Sequence, residues 1–235
     1  MTLYQNIHTA QTQNKRLLAI LIDPDKFVAA SAFAKAYLQK LPSQTTHIFV
    51  GGSTDPENSI ETVVKTLKQH TQIPIILFPG AYTQITPEAD GILFLSLLSG
   101  RNPEYLIGQQ IKGAKKTLES NLEVIPTGYI LVNGEKETAV QRVSETLPLD
   151  QNDIDTIVNT ALAGEYLGKK CIYLEAGSGA IQPVTTQVIK AVRKIISIPL
   201  IVGGGIKSRQ TMEEAYQAGA TMVVIGTAFE DDSWS

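Results

Sequence analysis

Glu175 closes the apolar run from Cys171, and Ala176, Gly177, Ser178 and Gly179 follow it at once. A carboxylate held at a strand end and shielded from water can take a proton from a substrate hydroxyl near neutral pH, because burial disfavours its charged form. An ion pair with a Lys or Arg on a neighbouring strand is the plainer alternative. Two more glycine-rich segments lie further along: Gly203, Gly204 and Gly205, then Gly226 with Thr227. Glycine lets backbone N–H groups approach an anion closely, so the three segments side by side would make one phosphate site. Taken singly, each is an ordinary tight turn.

A second chemistry sits near the amino end. Asp23 and Asp25 bracket Pro24, and Ser53, Thr54 and Asp55 follow a later apolar run. A carboxylate and a hydroxyl from neighbouring strand ends suit Mg²⁺, a hard ion that keeps several waters and completes its shell with substrate phosphates. Asp23 lies nearest its strand. "DPD" alone reads more simply as a turn, with Asp25 capping the next helix, and Asp55 reads as the cap of an Asp-Pro helix start.

The elements that must carry these residues are legible as eight short apolar runs, at 16–22, 47–50, 74–78, 91–95, 123–131, 171–175, 199–202 and 222–226. Most are nearly continuous in apolar character instead of alternating, as parallel strands covered on both faces require. Helical periods lie between them. Ile60, Val63, Val64 and Leu67 share a face after Asp55-Pro56, Asn102-Pro103 opens another helix, and Asp153 opens a third that ends at Gly168. Eight alternating strands and helices predict an α/β fold, a closed (βα)8 barrel of the TIM type. About a dozen residues separate the third and fourth runs, and nine follow Gly226, so the barrel is expected to be trimmed after its third and eighth strands. One domain over 1–235 is expected, with 1–15 an amino-terminal extension or helix.

Composition narrows the function classes. Lys and Arg number 20 against 23 Asp and Glu, scattered without a basic stripe, which argues against nucleic acid. No apolar run reaches a membrane span and no signal peptide is evident. The single Cys171 reads as a small core residue in a reducing cytoplasm. The late glycine segments alone would also serve a sugar-phosphate isomerase or a flavin mononucleotide enzyme.

Six motifs taken together, "LIDPDK", "VGGST", "PTGYILVNG", "YLEAGSGA", "IVGGGI" and "VIGTAFE", span nearly the whole chain. In them the sequence resembles the geranylgeranylglyceryl phosphate synthase family, which includes heptaprenylglyceryl phosphate synthases. The resemblance implies a prenyltransferase that joins sn-glycerol 1-phosphate to a long prenyl diphosphate by an ether bond, in phospholipid biosynthesis. It implies Asp23 and Ser53 as Mg²⁺ ligands and Glu175 as the base or the group that orients the hydroxyl. Glycerol phosphate would be held by Tyr173, Leu174, Glu175, Ala176, Gly177, Ser178, Gly179, Gly204, Gly205, Gly226 and Thr227, with Tyr129 nearby. A tail groove is expected along Phe78, Tyr82, Phe94 and Tyr129, core packing being the simpler role for the two Phe residues. Another branch of the family carries Lys where this chain has Leu21, and the "AGSG" loop resembles the geranylgeranyl branch, so geranylgeranyl is expected over heptaprenyl. A homo-oligomer with peripheral contact to membranes through its lipid product completes the expectation.

Overall fold

The computed structural model describes residues 1–52, 59–231 and 234. Its eight strands are β1 (Leu17–Ile22), β2 (Thr45–Val50), β3 (Ile75–Leu77), β4 (Gly91–Leu97), β5 (Glu123–Leu131), β6 (Cys171–Glu175), β7 (Leu200–Gly203) and β8 (Met222–Ile225). All pair in parallel with their sequence neighbours, and β8 pairs with β1 to close the barrel. The outer helices are α2 (Ser31–Gln39), α3 (Ile60–Lys68), α4 (Gln109–Glu119), α5 (Ala139–Ser144), α6 (Ile154–Tyr166), α7 (Thr186–Ile195), α8 (Arg209–Ala218) and α9 (Thr227–Glu230), with α1 (Leu3–Thr12) preceding the barrel.

The period-2 geometry of a strand sends alternate side chains to opposite faces. Ala19, Phe49, Ile76, Leu93, Tyr129, Tyr173, Ile201 and Val224 accordingly form one buried cluster inside the barrel. Their neighbours in sequence, such as Ile20, Ile130, Leu174 and Val202, pack outward with α6, α7 and α8. On the other flank Val63, Val64 and Leu67 of α3 cover β2 and β3. Cys171 belongs to the inner cluster, where burial pushes its thiol up to about 12 and makes it inert.

The helix starts follow their caps. Asp153 accepts from Thr156 N at 3.1 Å to open α6, and Asn102 Oδ1 accepts from Glu104 N at 3.1 Å where a wide π-helical turn, Glu104–Gly108, leads into α4. Asp55-Pro56 lies outside the described residues. Asp25 does not cap α2, which begins beyond Ala30; the Asp25 N–H instead donates to Asp23 Oδ1.

The barrel is trimmed where expected. Residues 78–90 join β3 to β4 without a helix, and α9 after β8 has four residues. The amino-terminal segment is a helix that stoppers the strand amino ends. Thr2 and Gln5 cap each other's backbone in a capping box, and the Glu123 carboxylate accepts from Leu3 N and Tyr4 N. Ile7, fully buried, then packs into the inner cluster. Among the described residues no helix is long and apolar enough to cross a membrane.

Candidate active site

The carboxyl ends of the strands surround a cavity of about 640 Å³. Glu175 reaches it because β6 places Tyr173 and Glu175 on the inner face, and it sits in register between Leu131 of β5 and Gly203 of β7. Leu174 and Ala176, on the opposite face, belong to the outer cluster and do not line the cavity. The side chains of these two expected contacts therefore point away from the site.

The Glu175 carboxylate is 6% exposed, and its Oε1 accepts the Gly177 N–H at 2.6 Å. No Lys or Arg pairs with it among the described residues, so the ion-pair reading fails. Burial pushes its pKa up to about 7, against the opposing pull of the Gly177 N–H and the nearby Tyr173 hydroxyl. That hydroxyl is itself buried and makes no hydrogen bond of good geometry among the described residues. Burial drives the phenols of Tyr129 and Tyr173 far above their ordinary range, so both stay neutral.

Gly204 shows how closely the β7 loop embraces this carboxylate. Its φ is +80°, and a Cβ there would lie 2.3 Å from Glu175 Oε1 and 2.5 Å from Gly177 N. Gly204→Ala is expected to cost on the order of 3 kcal/mol or more, from backbone strain and displaced contacts together. A urea melt would check this, and an unchanged midpoint would count against the packing described.

Gly177, Ser178, Gly179, Gly204, Gly205, Gly226 and Thr227 all line the same side of the mouth. Ser178 Oγ and Thr227 Oγ1 are 2.7 Å apart, joining the β6 loop to the start of α9. Glycine backbone and two hydroxyls thus meet on adjoining loops, the composition of an anion cradle.

Beside the β8 end of this cradle, where β1 pairs with β8, Asp23 is presented by a turn in which Lys26 N donates to Asp23 O at 3.1 Å, so "DPD" is both a turn and a carboxylate mount. Glu230, which sequence reasoning passed over although it ends the last motif, accepts from Asp23 N at 3.1 Å and pairs with Lys26 Nζ at 3.0 Å. Lys26 Nζ is also 3.8 Å from Asp23 Oδ2. Burial raises the Asp23 pKa and Glu230 adds to the rise, while the Asp25 N–H and Lys26 oppose it. Ser53 and Thr54 lie outside the described residues. Two carboxylates sharing one ammonium form an all-oxygen set that fits a hard cation, with remaining ligands drawn from substrate and water. Among the described residues no three acidic, His or Cys side chains converge to hold a metal alone.

The remaining wall is apolar. Phe78, Tyr82, Phe94 and Tyr129 all border the cavity, with Leu95 and Tyr105 beside them. Phe78 packs at 5.2 Å from the Tyr173 ring and 6.0 Å from Tyr129. Phe78 and Phe94 are only half-buried; Phe78 serves the trough as well as the inner cluster, and Phe94 borders the trough. The trough runs out over β3 and β4, where the absent helix leaves residues 79–85 and α4 as its banks.

A closed barrel whose mouth joins an anion cradle to an apolar trough across a buried carboxylate defines a phosphate-binding (βα)8 enzyme fitted to an amphiphilic substrate. The chain belongs to the PcrB family, whose model matches residues 10–234. It is 56% identical over 218 residues to a geranylgeranylglyceryl phosphate synthase of Zunongwangia profunda, covering 93% of this chain and 92% of the relative. A namesake from Pyrococcus furiosus is 42% identical over 93% of this chain and 86% of its own. The fold superposes with a TM-score of 0.89 on the Thermoplasma acidophilum (S)-3-O-geranylgeranylglyceryl phosphate synthase solved in complex with sn-glycerol-1-phosphate, at 33% identity, covering 98% and 92% of the two chains.

Proposed function

We propose that the chain is a prenyltransferase that joins the 3-hydroxyl of sn-glycerol 1-phosphate to geranylgeranyl diphosphate. The observation that carries this reading is the meeting of cradle and trough at Glu175 in one cavity. The cradle takes the glycerol phosphate and the trough takes the prenyl tail. The allylic C–O bond to diphosphate breaks, the glycerol oxygen bonds to that carbon, and the hydroxyl proton passes to Glu175, whose pKa near neutrality suits it to accept. Holding both substrates in one mouth supplies much of the rate advantage.

Asp23, with Ser53 and aided by Glu230, would hold Mg²⁺ beside the end of β1. When bound, the ion neutralises charge developing on the departing diphosphate. Ile107, Ile111 and Leu118, exposed along the wide turn and α4, support association with a second copy in a cytoplasmic homo-oligomer.

The test incubates purified protein with Mg²⁺, labelled sn-glycerol 1-phosphate and prenyl diphosphates of graded length, followed by organic extraction. Label is expected in the organic phase, with geranylgeranyl diphosphate preferred. A heptaprenyl preference would correct the donor, and label left in water for every donor would overturn the reading.

A further inference from the structure

The cradle as described offers N–H groups and hydroxyls but no cation. A phosphate monoester carries close to two negative charges at pH 7, and the Glu175 carboxylate lies beside it. Lys26 is committed to Glu230 and Asp23. The charge needs a partner on the cradle side.

Lys136, on the loop after β5, borders the cavity and makes no ion pair or hydrogen bond among the described residues. Its Nζ lies 3.0 Å from where a Cβ on Gly179 would sit, directly against the cradle. A side chain at 179 would crowd the ammonium there. The loop holding it is fixed at several points. Asn133 Oδ1 accepts from Glu135 N at 2.9 Å, and the Gly134 carbonyl accepts from Ile181 N at 2.9 Å and Gln182 N at 3.1 Å, tying the β5 loop to the β6 loop. Gln151 Nε2 donates to Asn133 O at 2.7 Å from the other side. Lys207 also borders the cavity, but no contact seats it against a cradle glycine.

We infer that Lys136 is a substrate-binding residue, the cation that pairs with the acceptor phosphate over Gly179. This rests on the function proposed above. A charge-assisted hydrogen bond at the rim of a pre-formed cradle governs acceptor affinity more than the chemical step.

The experiment is calorimetric titration of sn-glycerol 1-phosphate, and separately inorganic phosphate, into the native chain, K136Q, K136R and K207Q, without prenyl donor. For K136Q the dissociation constant for both anions is expected to rise roughly tenfold or more, with a flatter salt dependence. K136R should stay within about threefold of native, because it keeps the charge. In turnover assays K136Q should raise KM for glycerol phosphate while kcat at saturation and KM for the donor hold, with an unchanged melting temperature. Native-like affinity in K136Q, or the loss appearing in K207Q instead, would overturn the assignment. A native chain that binds inorganic phosphate but not glycerol phosphate would sink the substrate reading, and weakening of phosphate by K136Q would then still locate the cation.

Discussion

Glu175→Gln is expected to leave a folded protein that is more stable than the native chain above pH 7 and slower by roughly 10²–10⁴-fold in turnover. The carboxyl titrates at about 7 in the fold, whereas in an unfolded chain it titrates near its ordinary value. The folded state therefore holds the proton longer. Stability contributed by the protonated form is complete below the unfolded pKa, erodes as pH rises and is gone above about 7, a loss on the order of 3 kcal/mol. Gln keeps the acceptor for the Gly177 N–H and carries no charge to bury, so its melting temperature should pull ahead of native as pH goes from 5 to 8. Native turnover should rise with pH through about 7, and the variant's residual rate should not follow. A well-folded Glu175→Gln protein with native turnover would remove the base from this site.

Asp23→Asn should cost roughly 10²–10³-fold in turnover, the scale of losing one electrostatic partner of a developing charge. Acceptor binding should barely change, since among the described residues the Asp23 carboxylate touches the Asp25 N–H and Lys26 and no cradle residue. Its melting temperature should hold or rise, because burial, and then repulsion from Glu230, disfavours the charged carboxylate that the substitution removes. Turnover against Mg²⁺ concentration, paired with acceptor titration, checks both halves. Equal loss of acceptor affinity would show that Asp23 serves the phosphate instead of a cation and the leaving group.

The barrel was legible because parallel strands covered on both faces must be apolar throughout, and all eight runs became strands. Glu175, the cradle glycines and Asp23 stood out because each follows such a run directly. Leu174 and Ala176 show the limit of a contiguous motif, since a strand turns every second side chain outward. Glu230 and Lys136 were missed for a related reason. Each acts through a partner distant in sequence, Asp23 in one case and Gly179 in the other, and pattern within a segment carries no information about such pairs. The Glu175 pKa was similarly out of reach in magnitude, since it depends on Tyr173, Gly177 and the depth of burial acting together.

The helix α1 stopper, with Ile7 seated among the inner side chains, closes the amino end of the barrel, and the cavity opens at the carboxyl ends of the strands. Water-borne acceptor and greasy donor must come in past the same rim, and the joined product must back out through it. A tail lying along Phe78 and Tyr82 must leave before the next donor can bind there, and turnover is expected to show a burst of product followed by a slower steady state. A bilayer or detergent micelle that draws the tail away would then speed the enzyme without touching its chemistry.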